Sequence, residues 1–207
     1  MFEELHALID DSIDHRQNSI LVTSFDFDTN FILQHFLSYS LKNSFNCVYI
    51  SLLTSFTHLK HVQAKMGNTL KSPESSPESN LTFIPLFTSI SNKFFQDKNQ
   101  SFSIDDFCTC IQEQILSSPK YILIEDLQIL RHICKYSDAD IILLQRKLRQ
   151  LYPNTQFITQ ISVTDDEHDE ENDSSFLINM LKRIHDKHLF IRSLSTGATK
   201  DISGQVR

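Results

Sequence analysis

Ile20-Leu21-Val22-Thr23-Ser24-Phe25-Asp26-Phe27-Asp28-Thr29-Asn30-Phe31 is the stretch on which the reading of this chain turns. An apolar strand runs into a polar turn and then into a helical pattern from about Thr29 to Lys42. In nucleotide-binding α/β proteins this strand–loop–helix order carries a loop of the form G-x-x-x-x-G-K-[ST]. Its glycines let successive backbone N–H groups converge on the phosphates, its lysine reaches the terminal phosphates, and its hydroxyl binds magnesium. Between Val22 and Phe31 there is no glycine and no lysine, and Asp26 and Asp28 stand where anionic phosphates would sit. The whole chain has three glycines, Gly67, Gly197 and Gly204, and none follows a central strand. A phosphate cradle of this kind cannot be built from these residues.

The same strand-then-helix unit recurs outward from this point. Cys47-Val48-Tyr49-Ile50 leads into about Phe56 to Met66, and Leu81-Thr82-Phe83-Ile84 precedes helical material on both sides of Asn99. Tyr121-Ile122-Leu123-Ile124 precedes about Asp138 to Leu151, and Phe157 to Ile161 precedes about Ser174 to Ile184. Several runs are continuously apolar instead of alternating, as expected of strands covered on both faces. Strands separated by whole helices make crossovers and hence a parallel sheet. Ser103 with Asp106 predicts an N-cap pair ahead of the stripe Ile104, Phe107, Ile111 and Ile115. Leu189 to Ile191, a Ser195–Thr199 turn, and Ile202 to Val206 predict a terminal β-hairpin at the sheet edge. The expected fold is α/β and RecA-like: a central, mainly parallel sheet, the terminal hairpin, no functional phosphate-binding loop, and one domain over residues 1–207.

Composition sets the outer bounds. Hydrophobic residues at 40% and charged residues at 22% are ordinary globular values. No apolar run approaches the roughly 20 residues that span a bilayer, and the acidic start Met1-Phe2-Glu3-Glu4-Leu5 has no signal-peptide pattern. Cys47, Cys108, Cys110 and Cys134 have no framework spacing and read as reduced thiols. The net charge of −7 is segregated. Asp165 to Asp173 holds seven acids and no Lys or Arg, and without it 19 acidic residues face 19 basic ones. Residues 182–207 carry six bases against two acids. Residues 71–79, with Ser-Pro-Glu-Ser twice, predict a flexible Ser/Pro surface loop, and residues 165–173 an acidic loop.

Catalytic constellations fail one by one. Tyr121-Ile122-Leu123-Ile124-Glu125-Asp126 has the outline of a magnesium-binding strand end. Without a phosphate loop, however, Glu125 and Asp126 are expected to be helix-capping or surface acids. Asp165, Glu167 and Asp169 mimic the start of a calcium loop, yet Glu170 and Phe176 stand where glycine and a bidentate glutamate are needed. His58/His61 and His185/His188 have helical spacing but no completing ligands. No catalytic, metal or cofactor site is expected. The degenerate nucleotide positions are Asp26, Asp28, Asn30, Glu125 and Asp126. The cations to consider against nucleic-acid phosphate are Lys182, Arg183, Lys187 and Arg192, although Phe190, the lone aromatic among them, reads as core.

Several stretches together resemble one family. They are Met1-Phe2 with Glu4-Leu5; His35-Phe36-Leu37-Ser38 with Leu41-Lys42; Ser55-Phe56-Thr57-His58 leading to Lys65-Met66-Gly67; Glu170-Glu171-Asn172-Asp173; and Gly204-Gln205-Val206-Arg207. In order, spacing and coverage the chain resembles the sixth subunits of the Elongator complex. That resemblance implies a RecA-like fold without working ATPase motifs. It also implies a hetero-hexameric ring with the fourth and fifth Elongator subunits, two copies of each. The ring binds tRNA and associates with the catalytic subcomplex that modifies the wobble uridine U34, and the location implied is cytoplasmic, with the nucleus as a second place. The competing expectations are an unconventional ATPase subunit and a degenerate recombinase-like adaptor in DNA repair.

Overall fold

Every expected strand forms. In the computed structural model, which describes residues 19–25, 29–71, 80–96, 102–115, 117–163, 176–193 and 204–206, β1 (Ile20–Phe25) feeds α1 (Asn30–Lys42). β2 (Cys47–Ser51) feeds α2 (Phe56–Lys65), and β3 (Leu81–Pro85) runs directly into α3 (Leu86–Gln96), followed by α4 (Ile104–Gln114). β4 (Tyr121–Ile124) precedes α5 (Gln128–Cys134) and α6 (Asp138–Leu151). β5 (Gln156–Val163), α7 (Phe176–Ile184), β6 (Lys187–Ser193) and β7 (Gly204–Val206) complete the order. The strands form one sheet in the order β3-β2-β4-β5-β1-β6-β7. The first six are mutually parallel and only β7 is antiparallel, on β6.

The continuous apolar runs are explained by helices on both faces. Leu21, Ile50, Ile122, Ile124, Phe157 and Ile161 point to one side and pack against buried residues of α3 to α7. Ile20, Val22, Tyr49, Leu123 and Ile158 point to the other and meet Ile32, Leu33, Phe36 and Leu37 of α1 and Leu59 of α2. Each full burial of such a side chain contributes about 1.5–3 kcal/mol. Helix starts are set locally. Ser103 and Asp106 form a reciprocal capping box at α4, and Ser137 with Asp140 forms a second one at α6. Gly67, at φ +84, turns the chain just beyond α2, in a backbone region that side chains disfavour.

Two expectations need adjustment, and several others are not tested. α5 is an additional helix that the sequence reading passes over, because its seven residues are too few to show a period. The terminal hairpin forms between β6 and β7, but β6 is also an inner strand, parallel to β1. Finally, Asp26, Asp28, residues 72–79, the acidic run 165–173 and the Ser195–Thr199 turn lie outside the described residues. Among the described residues no helix is long and apolar enough to cross a membrane. The four cysteines are free thiols, with Cys47, Cys108 and Cys134 buried.

Candidate functional site

All six parallel strands end on one side of the sheet, and in open α/β folds that carboxyl edge is where ligands bind. The positions expected to be a degenerate nucleotide site are found here. Glu125 follows β4 directly and is only 2% exposed, so it is not the surface acid expected from sequence. Its Oε2 accepts hydrogen bonds from three consecutive backbone N–H groups, Leu52 at 2.8 Å, Leu53 at 2.7 Å and Thr54 at 3.1 Å. The Ser51 hydroxyl lies 2.9 Å from the same oxygen. The Tyr49 hydroxyl lies 2.9 Å from Oε1. Converging amides of this type form an anion nest, the device by which a backbone holds phosphate. The nest is already filled, by a carboxylate of the chain itself.

Energetics favour the charged form. Burial pushes the Glu125 carboxyl up, but hydrogen bonds from Thr54, the Leu53 and Thr54 amides and Tyr49 outweigh it and leave it below its ordinary value. The network reaches the first turn of α1. Asn30 Oδ1 lies 2.9 Å from the Tyr49 hydroxyl, and Asn30 Nδ2 donates to Thr54 Oγ1 at 3.0 Å. Glu125 thus ties the ends of β2 and β4 to the helix that a phosphate loop would open. Tyr49, Ser51 and Thr54 were not singled out from sequence. Tyr49 sits in an apolar run, where only its terminal hydroxyl hints at a polar partner.

Asp126 turns elsewhere. It is buried, and its Oδ1 accepts from the Gln128 amide at 3.0 Å and the Ser162 amide at 2.9 Å. It braces the turn ahead of α5, whose N-cap is Leu127, and joins the ends of β4 and β5; it is buried, so it is not a surface acid. Of the five degenerate-site positions, the structure brings Asn30 and Glu125 together through Tyr49 and turns Asp126 toward β5, while Asp26 and Asp28 lie outside the described residues. Among the described residues no group of three or more His, Cys, Asp or Glu is arranged to hold a metal ion. His58 and His61 are exposed on α2.

The cations do not form one patch. Lys182 and Arg183 are exposed on the last turn of α7, and Lys187 is half-buried at the start of β6, all near the amino edge. Arg192 lies five residues further along β6, roughly 16 Å away at strand spacing. The amino edge has its own polar cluster, in which Asp186 is exposed and Ser19 buried. Asp186 Oδ2 accepts from the Ser19 amide at 2.8 Å and the Ser19 hydroxyl at 2.9 Å, pinning β6 to the start of β1. Beside it, burial and the neighbouring Arg149 lower His185 to about 3.

Comparison with known proteins places this geometry. A family described as Elongation complex protein 6 (ELP6) matches residues 2–207. The chain belongs to that family. Relatives named Elongator complex protein 6 align over the whole chain and 85% of their own length, at 24% identity in Xenopus laevis and 25% in Homo sapiens. Among solved structures, the flagellar accessory protein FlaH of Methanocaldococcus jannaschii matches with a TM-score of 0.63. That match covers 96% of this chain and 82% of FlaH at 11% identity. The KaiC-like protein PH0186 of Pyrococcus horikoshii gives 0.59, covering 92% and 76%, also at 11%. At that identity the likeness shows the fold alone, which is α/β and RecA-like.

Proposed function

We propose that this chain is a non-catalytic subunit of the Elongator complex. In this reading it forms a hetero-hexameric RecA-like ring with the fourth and fifth subunits, which binds tRNA and supports modification of the wobble uridine U34 by the catalytic subcomplex. Family membership supports the place in the complex. The observation that carries the non-catalytic part is Glu125: the anion nest at the carboxyl edge is closed by an internal carboxylate, next to a β1–α1 connection without glycine or lysine. A triphosphate brought to this nest would meet the Glu125 carboxylate on the amides its phosphates would need. ATP affinity is therefore expected to be undetectable up to millimolar concentration, and no cofactor is called for. A measurable ATP affinity, lost on changing Glu125 or Asp126, would revive an unconventional ATPase.

The scaffold in this reading serves packing, and tRNA contact falls to partners and to cations of this chain, Lys182, Arg183 and Lys187 near the amino edge and Arg192 at the end of β6. Co-expression with the fourth and fifth subunits followed by sizing tests the assembly. A chain that stays monomeric under those conditions ends the proposal, and co-purification with recombinase paralogues instead would favour the DNA-repair adaptor.

A further inference from the structure

The amino edge of the sheet holds a cation that the fold leaves without an ion-pair partner. Arg149, in the last turn of α6, lays its guanidinium against the Phe157 ring, 5.6 Å from the centroid. Its Nε and Nη2 are buried and have no hydrogen-bond partner, and the residue makes no ion pair among the described residues. Those two N–H groups lie along one edge of the planar guanidinium and point the same way, the fork that takes two oxygens of one oxyanion. Arg149 also walls a void of about 10 Å³, together with Ser19, Tyr152, Pro153, Thr155 and Phe157. That is room for about one oxygen-sized atom. Ser19 and Thr155 spend their hydroxyl protons on Asp186 and on the Pro119 carbonyl, and no residue of the described lining is acidic.

We infer that the Arg149 fork and the void beside it bind a small free oxyanion, carboxylate or phosphate, that presents two oxygens edge-on. Charge decides between this ligand and water. A water molecule would accept from the fork but leave the guanidinium, whose charged form burial disfavours, without a counter-ion. An oxyanion supplies both acceptors and the charge, and bidentate contacts of that kind are the strong ones. The size of the void sets the pose. One oxygen enters while the rest of the ligand stays at the mouth, so a flat carboxylate or a single phosphate group fits. Asp186, bonded to Ser19, favours the charged guanidinium yet repels an anion, which keeps the affinity at roughly millimolar. His185, lowered to about 3, adds no charge at neutral pH. The site is at the opposite edge of the sheet from the Glu125 nest, and it depends on neither the ring nor tRNA.

The isolated full chain tests the site, independently of assembly. Urea unfolding is followed at neutral pH in sodium phosphate, sodium acetate and sodium chloride of equal ionic strength, for wild type, Arg149→Lys and Arg149→Met. Lysine keeps the charge and loses the fork. Exclusion of salt from the surface stabilises all three chains alike, so the readout is the saturable part that wild type alone shows. At ten times the dissociation constant that part raises the folding equilibrium constant about elevenfold, and both variants should lose it. Comparing phosphate with acetate tells which oxyanion the site prefers. Amide NMR of the folded wild type gives a second reading that needs no variant, with Ser19 and Thr155 shifting and saturating as the oxyanion is added. Variants that respond as wild type does overturn the inference. So does saturation by chloride alone, which would mark a simple counter-ion, and so does a response to an RNA oligonucleotide without one to free phosphate or acetate. No saturable response in any salt would leave the void to water and overturn it equally.

Discussion

Replacing Glu125 by alanine is the sharpest test of the internal-anion reading. The substitution removes the acceptor of three backbone amides and two hydroxyls at distances of 2.7–3.1 Å. Not all of these donors are stranded. Leu53 and Thr54 are close enough to water to be rehydrated, Tyr49 keeps Asn30, and Ser51 keeps the Thr54 carbonyl. The Leu52 amide is buried and has no such alternative. An unsatisfied buried donor costs about 1–3 kcal/mol and a lost hydrogen bond to a charged group about 1.5–3 kcal/mol. Together with the ordering of the 52–54 loop, the expected loss is about 3–5 kcal/mol, a large share of a typical stability of about 5–15 kcal/mol. Urea unfolding of the purified chain, analysed with a common slope, measures it directly. Glu125→Gln keeps the shape but sets an amide N–H against the nest donors, so it should recover less than half of the loss. The pH dependence has a definite sign. Since the folded state holds Glu125 below its ordinary value, its stabilisation is present above the unfolded carboxyl pKa and is lost as pH falls through the folded one. A loss under about 1 kcal/mol for the alanine variant would refute the reasoning, because the carboxylate would then be a passive neighbour of a loop that holds itself.

Acid should weaken the chain through buried His185 and half-buried His188 as well. His185, lowered to about 3, binds a proton in the unfolded chain before it does in the folded one, so stability falls as pH drops below about 6.5, by about 2 kcal/mol at pH 5. His185→Gln should flatten that part of a stability–pH curve, and an unaltered slope would count against it. His188, lowered to about 4 chiefly by burial, shifts in the same direction. Ser103→Ala and Ser137→Ala each remove one half of a capping box and should each cost about 1 kcal/mol, close to additively in thermal unfolding; strong coupling would show that α4 and α6 do not start independently. In the assembled complex, Lys182→Glu with Arg183→Glu should weaken tRNA binding and reduce its salt dependence, while neutralising Asp165 to Glu171 should leave affinity unchanged or raise it. Carboxylates repel phosphate, so a weaker complex after that neutralisation would show that the acidic run does not act on tRNA by repulsion.

Sequence alone determined the architecture, and the reason lies in burial. A strand covered on both faces, such as Tyr121 to Ile124, must be continuously apolar, and a helix such as Asp138–Leu151 must repeat its apolar residues every three to four positions. These local signals do not depend on which neighbour does the covering. The missing phosphate loop was equally legible, because glycine and lysine at fixed offsets are requirements of chemistry and their absence from Ser24 to Phe31 is visible letter by letter. The fate of Glu125 was not. A strand-end acid reads the same whether it faces water, a metal or a hidden nest, and its partners here lie more than seventy residues back in the chain. Only the pairing of β2 with β4 brings the 52–54 amides onto its oxygens. The exposure of Leu53 and Phe87 is likewise a tertiary fact, since a buried leucine and an exposed one share one code. Periodicity reports what each residue prefers, and the crossing of the chain decides which of those preferences are met within the molecule and which are not.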